Sequence, residues 1–468
     1  MAPRRLAEWT LGLLLLVLCS GRVGADEGLP QAPAGESIIV ALAEHPQARI
    51  AVGGTPRAGY AAAYGAGQAS LGTQALADAL AAEYQLQAQG AWTIAPLKLH
   101  CLLFRLAPAA DAAELLARLA RDPRVQLAQP LNEFETLGES AAPVAAIAQG
   151  AVQMPLQVPM QAPLQVPVQS PQSEAYNDPY VGLQRGFAAM GVAQAQRWSR
   201  GEGVRVALID TGVDAAHPDL LGRIASQRDF VDPAAHPAPA NGQAERHGTQ
   251  MAGVIAADAN NGLGIVGVAP QVQLLTYRAC WELAAAGGAA RCNSFTLAQA
   301  LGAAIAAGVD VINLSLGGPP DPLLRRLAEH AISRGIVIVG AVPPGGSQSG
   351  FPVDVPGVLA VYSSDEAGVL AVAGPGGFIA APGRDILTLA PGGSYDFASG
   401  SSLAAAQITG AVALLRSLSP RLSAQQARDW LSAGTGQPVS SSCEAIRQLR
   451  SQARCTPASL VKVTAASH

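Results

Sequence analysis

Between residues 180 and 437, short apolar runs alternate with helical stretches built from small side chains. The runs are Val204–Ile209, Leu274–Arg278, Val309–Leu316, Ile336–Ala341 and Val358–Val361. Their length and near-continuous apolar character suit strands buried on both faces of a parallel sheet. Thr296–Ala307 and Pro322–Ser333 lie between them and read as covering helices. This alternation predicts an α/β fold with a doubly wound, mostly parallel sheet.

Three short segments on this frame carry chemistry. Asp210 ends the run Val206–Ile209 and is followed by Thr211 and Gly212; His247-Gly248-Thr249 opens a small-residue helix; Gly400-Ser401-Ser402 opens another. A serine hydroxyl is a weak nucleophile that needs an adjacent base, and the base needs a carboxylate to hold its tautomer. The strand places Asp210 at the carboxyl edge of the sheet, where open α/β folds bind ligands. Each segment has a plainer reading. Asp-Thr-Gly also occurs in aspartic proteases, but no second copy is present; His217, beside Pro218, reads as a turn residue; Ser402 alone could be a helix cap. All three together, inside one α/β pattern, point to nucleophilic catalysis by Asp210, His247 and Ser402.

The rest of the chain divides around this unit. Residues 1–25 have Arg4 and Arg5, an apolar run Leu11–Leu18 too short to span a bilayer, and small residues at Val23-Gly24-Ala25. That is the pattern of a signal peptide, so export is expected, to the medium or the periplasm. A lipoprotein acylated on Cys19 is the rival, against which stands the large Leu18. Residues 26–137 form a propeptide-like α+β unit. Its order runs strand Ser37–Leu42, helix Ala75–Leu86, strand or hairpin Leu97–Leu106, helix Asp111–Leu119, strand Val125–Gln129, which fits a split βαβ sandwich. Residues 138–178 are a Pro/Gln-rich linker with prolines at 155, 159, 163, 167 and 171. Residues 179–437 are the catalytic unit, and 438–468 a tail with a cysteine pair and little core.

Export makes the cysteines readable. Cys280 with Cys292 and Cys443 with Cys455 are close pairs expected to be disulfides; reduced core cysteines are the alternative, and no histidine stands at zinc-ligand spacing. Cys101 is left over in the propeptide-like unit. A net charge of −4 over 468 residues excludes a polyanion partner, so nucleic acid is not expected. No later segment is apolar enough for a transmembrane helix, and the protein is expected to act as a monomer on protein or peptide substrates.

These residues resemble the subtilisin-like serine proteases of the subtilase superfamily, over roughly Tyr180–Leu431. The likeness extends to His217-Pro-Asp-Leu220, Asn261-Gly-Leu-Gly264, Asn313-Leu-Ser-Leu-Gly-Gly318 and Ala381-Pro-Gly383. It implies Asp210, His247 and Ser402 as a triad in an endopeptidase made as a zymogen. It also implies an edge strand Ser315-Leu316-Gly317 that pairs with an extended substrate, and residues 36–137 as an inhibitory propeptide cut off in or near the linker. No cofactor is required; calcium at Asp219 and Asn261 is the one metal the resemblance suggests. Gly340-Ala341-Val342 and Leu316-Gly317 are expected to line a pocket for an apolar or small residue. Three positions depart from the family. Gln250 stands for a second His, Ala405-Ala406-Gln407 for Ser-Pro-His, and Pro344 for the asparagine that donates to the oxyanion. An oxyanion donor is worth roughly 10²–10³ in kcat. Pro344 therefore opens an alternative: a subtilase-fold pseudoprotease acting as a peptide-binding or regulatory module.

Overall fold

The computed structural model describes residues 36–44, 70–107, 111–138, 176–232, 245–283, 290–364, 379–432 and 439–455. The expected signal peptide, Cys19 and nearly all of the linker lie outside these residues.

The first unit comprises β1 (Ser37–Ala43), α1 (Leu71–Tyr84), β2 (Gln87–Ile94), β3 (Leu99–Arg105), α2 (Ala112–Leu119) and β4 (Val125–Pro130). Its antiparallel sheet has the order β2-β3-β1-β4. Ser70 and Asp111 cap the two helices by accepting from the backbone N–H groups of Thr73 and Glu114. The strands alternate with period two. Ile38, Val40, Leu102 and Phe104 pack under the helices with Leu80 and Leu119, while Ile39, Trp92, Cys101 and Leu103 face the second unit. There Trp92 meets Phe295 edge-on at 4.7 Å. Burial holds the Cys101 thiol protonated, far above its ordinary pKa. A strand that the sequence pattern does not flag, β5 (Glu133–Thr136), leaves this unit and joins the second.

The second unit starts with α3 (Arg185–Ala189) and α4 (Val192–Ala195). It continues through β6 (Arg205–Asp210), β7 (Ile224–Asp229), α5 (Arg246–Ala256), β8 (Gln273–Arg278), β9 (Cys280–Glu282), β10 (Ala290–Asn293) and α6 (Ser294–Ala307). Then come β11 (Val311–Leu314), β12 (Leu316–Gly317), α7 (Pro322–Ser333), β13 (Val337–Ala341), β14 (Leu359–Ser364) and β15 (Ile379–Pro382). A hairpin, β16 (Ile386–Ala390) with β17 (Ser394–Ala398), precedes α8 (Ser401–Leu418), α9 (Ala424–Ser432) and α10 (Ser442–Leu449). Seven parallel strands form the central sheet in the order β15-β14-β13-β11-β6-β8-β7. β6 lies at the switch in that order, so its carboxyl end opens the crevice that doubly wound sheets use for ligands.

Helix α8 passes through the interior, buried from Ser401 to Arg416. Its small residues permit that depth: a Cβ on Gly410 would lie 2.5 Å from Val268 Cβ.

Three expectations change. The run Val309–Leu316 is two strands, because the chain leaves the central sheet after Leu314 and Leu316–Gly317 pairs elsewhere. The edge strand β7 (IASQRD) is half exposed, and an exposed strand has no reason to be apolar. The segment 438–468 does reach the core: Cys443, Ala445 and Ile446 on α10 are buried against the main unit. Cys280–Cys292 and Cys443–Cys455 are disulfide-bonded, and Cys101 is free. Among the described residues no helix is long and apolar enough to cross a membrane.

Candidate active site

The carboxyl end of β6 and the first turn of α5 meet at one hydrogen bond. Asp210 Oδ1 lies 2.7 Å from His247 Nδ1, and both side chains are buried. Asp210 Oδ1 also accepts from Thr211 N at 2.7 Å. The approach depends on Gly248. A Cβ there would lie 2.6 Å from the Thr211 carbonyl oxygen, and Gly248 N donates to Thr211 Oγ1 at 2.8 Å. His247 Nε2, the ring atom left to act as base, is buried with no partner.

Ser402 occupies the first turn of α8 and is fully buried. Its hydroxyl donates to the Ser315 carbonyl at 3.1 Å rather than to His247. A buried chain fixes its peptide: Thr409 Oγ1 donates to Asn313 Oδ1 (2.8 Å), Asn313 Nδ2 to Ser315 Oγ (2.9 Å), and Ser315 Oγ to Ser402 O (3.2 Å). Gly400 precedes the helix at φ 137°, a conformation that favours glycine, and its N–H donates to Gly383 O at 2.6 Å. Gln407 Nε2 donates to Pro382 O, so both segments of the expected Ala-Pro-Gly motif brace the start of α8.

β5 lies along this site as an antiparallel strand between β12 and β10, pairing Thr136 with Leu316, Glu135 with Gly317 and Phe134 with Cys292. Leu137 N donates to Ser315 O at 3.1 Å, and Ser402 N makes a long contact, 3.4 Å, to Leu137 O. Ser315, Leu316 and Gly317 thus present their backbone to an extended peptide, here the chain's own. The expected pocket is only partly as foreseen. Gly317 and Pro343 flank Leu137, whereas Gly340 turns its open face to Pro352 and Val358. Around Pro344, Gln348 Nε2 donates to the Tyr362 hydroxyl at 2.9 Å, and the Ser347 and Ser349 hydroxyls pair at 3.0 Å. Gln348 is thus engaged with Tyr362 of β14, and the two serines with each other.

A second layer escaped the sequence reading. Glu245, which precedes α5, gathers four donors: Gly212 N (2.6 Å), Glu282 N (3.0 Å), Arg278 Nε (2.8 Å) and Arg278 Nη2 (3.1 Å). Arg278 also reaches Asp229 at 3.1 Å, and Glu282 accepts from His247 N at 3.0 Å. Burial alone would lower the Arg278 pKa, but the bonds to Glu245 and the charges of Glu245 and Asp229 raise it. In register, Arg278 lies beside Asp210. The clue was a lone Arg ending an apolar run and a Glu two residues before the histidine.

Away from the triad, Asp219 is fully buried. It accepts from Asn261 Nδ2 (2.7 Å), Ile265 N (3.0 Å) and the Tyr395 hydroxyl (3.2 Å). Asp178 nearby has its carboxyl raised, first by burial and further by the Asp219 charge, against the lowering effect of backbone N–H groups. Asn261 turns its amide nitrogen to Asp219 and its oxygen to Leu263 N, and Asn260 N donates to Asp178, so the oxygens here are engaged by protein donors rather than grouped around a cation position. Among the described residues, no three His, Cys, Asp or Glu side chains converge as a metal cluster. His217 is buried beside this loop as a turn residue, accepting from Asp219 N at 3.1 Å.

The subtilase family model (Peptidase_S8) matches residues 201–442. Thermitase of Thermoactinomyces vulgaris is 34% identical over 248 residues, 52% of this chain and 85% of thermitase. A thermophilic serine proteinase of Bacillus sp. (strain AK1) is 37% identical over 50% of this chain and 58% of its own length. Subtilisin E of Bacillus subtilis (strain 168) is 35% identical over 49% and 60%. The crystal structure of fervidolysin from Fervidobacterium pennivorans, a keratinolytic enzyme related to subtilisin, superimposes with a TM-score of 0.64 at 21% identity. That superposition covers 89% of this chain and 62% of that one, and it speaks to the fold alone.

The Glu245–Arg278 pair generates a prediction. Arg278→Met leaves a buried carboxylate unpaired and is expected to cost roughly 3–5 kcal/mol in denaturant titration. Adding Glu245→Gln should recover much of that loss. If Arg278→Met leaves the unfolding midpoint unchanged, the pair does not hold the site.

Proposed function

The chain belongs to the subtilase family, and from that premise we propose that it is an exported serine endopeptidase, made as a zymogen, whose triad is Asp210, His247 and Ser402. The observation that carries this reading is the buried Asp210–His247 hydrogen bond at 2.7 Å, to which Ser402 is linked by Gly138, bridged to Gly400 and packed against the His247 ring.

The chemistry follows from the groups in place. A turn of the Ser402 hydroxyl from Ser315 O to the unpartnered His247 Nε2 gives the nucleophile its base. As the hydroxyl attacks a peptide carbonyl, the proton passes to Nε2, and Asp210 stabilises the imidazolium. Ser402 N and the amino end of α8 face the developing oxyanion. The zymogen reading is supported by β5, which fills the substrate strand position, and by the sheet face of the first unit, which packs on α6 and α7. Export is supported by the signal-like first 25 residues and by two disulfides. Protein or peptide substrates are the expected partners, taken by a monomer.

Wild type should react with a fluorophosphonate probe and hydrolyse casein once the first unit is removed, and Ser402→Ala should lose both. Equal behaviour of the two proteins would sink the triad.

The relatives named above are serine proteases, so the pseudoprotease alternative raised by Pro344 finds no support. Pro344 bears on rate instead: Pro344→Asn restores an amide donor and should raise kcat about tenfold or more, and an unchanged kcat would place this position outside the reaction.

Calcium is the remaining proposal. Asp219 and Asn261 would hold it once the Asn261 amide turned its oxygen to the site, and it would neutralise Asp219 rather than take part in catalysis. Added calcium should raise the Tm of Ser402→Ala protein relative to a chelator, and Asp219→Asn should abolish the difference. An identical Tm with and without calcium would remove the metal from this account.

A further inference from the structure

We propose that Leu137–Gly138 is the peptide bond this chain cuts in itself, and that the pattern Phe-x-x-Leu followed by Gly is what the mature enzyme selects in other chains. This rests on the endopeptidase reading above. It narrows the expected cut, in or near residues 138–178, to one bond.

Register selects the bond. The Leu137 carbonyl is the one that contacts Ser402 N, and the same residue's N–H is held by Ser315 O. Gly138 follows across the site, bridged to Gly400 and lying against the His247 ring. Side chains then give the pattern. A Cβ at position 138 would come 3.3 Å from His247 Cδ2 and 3.6 Å from Nε2, so a residue without a side chain fits there. Leu137 sits over Gly317, where a Cβ would be 3.3 Å from Leu137 Cδ1. Phe134, 1% exposed, enters a pocket closed by Phe351, with ring centres 5.9 Å apart at 78°. The pocket exists because residue 318 is glycine: a Cβ there would lie 2.3 Å from Phe134 Cδ1. Between these anchors Glu135 is exposed and Thr136 is buried, while Glu133, just before Phe134, is half-buried. The prolines at 155, 159, 163, 167 and 171 argue against a cut deeper in the linker, since each removes an N–H that ladder pairing needs.

The first unit delivers the strand. Asp321 Oδ2 accepts from Gln129 Nε2 (2.7 Å), Asn132 Nδ2 (2.9 Å) and Ser294 Oγ (2.6 Å), pinning the chain just before β5. The step then balances. Ser402 Oγ bonds to the Leu137 carbonyl carbon and gives its proton to His247 Nε2. The Leu137–Gly138 C–N bond breaks, and the proton passes to the Gly138 amine. Water, losing a proton to His247, then hydrolyses the acyl ester to a Leu137 carboxylate, and Ser402 regains its hydroxyl.

The test uses the full chain and its Ser402→Ala variant, with intact mass and terminal sequencing of the products. Wild type should give an N-terminal fragment ending at Leu137 and a chain beginning at Gly138; Ser402→Ala should remain joined. On peptides, Phe-Glu-Thr-Leu-Gly sequences should be cut with kcat/KM at least about 30-fold above the Phe→Ala peptide, at the Leu–Gly bond. Gly318→Val should collapse that ratio towards one. A different terminus, the same cut in Ser402→Ala, or no preference for Phe each overturns this inference. Loss of fluorophosphonate labelling together with all peptide hydrolysis would instead overturn the endopeptidase reading itself.

Discussion

The Glu245 carboxylate holds together the parts on which the site depends. Asp210 ends a strand and His247 begins a helix, and a hydrogen bond between two such elements survives only if neither slides. Glu245 sits before α5 and accepts from Gly212, just past Asp210, from the Nε and Nη2 groups of Arg278 and from Glu282. A charge gathered at that point would be costly unpaired, and here four donors meet it. The tie also reaches β9, and through Cys280–Cys292 the strand β10 that flanks the bound peptide.

In the proposed enzyme, strand addition would let one cleft serve both restraint and turnover. Backbone pairing with β12 and β10 holds any extended segment of suitable shape, and the first unit supplies such a segment from the same chain. Its sheet face, with Trp92, Cys101 and Leu103, covers α6 and α7 over a wide apolar surface, so the strand arrives already aimed. What distinguishes one segment from another is left to a few contacts: the glycine-floored space at Phe134, the wall at Leu137 and the crowded approach at Gly138.

The departures from the family sort themselves by place. Gln407 braces the turn before α8, and Gln250 lends its carbonyl to Thr388; both sit in the scaffold behind the triad. Pro344 follows Pro343, which lies with Leu137 around Gly317; in the proposed enzyme a donor missing there would bear on rate and not on folding.

Much was readable from local pattern. Buried parallel strands must be apolar and their helices small where they pack closely, so the doubly wound sheet and the positions of Asp210, His247 and Ser402 on it followed from spacing and composition. The two cysteine pairs were equally plain. Other features were silent for a physical reason. β5 and β12 are four and two residues long and owe their existence to partners far away in the chain. The polar edge strand β7 carries no periodic signal, and α10 joins the core through a few buried side chains. Arg278 and Glu245 look like ordinary surface charges until the sheet register sets them side by side. The sequence by itself determined the fold class and the three candidate catalytic residues, because both are written in local burial and residue chemistry. Which backbone segment lies along Ser402, and what holds the Asp210–His247 pair in place, only the tertiary structure decided, because pairing between distant segments leaves no periodic trace in either of them.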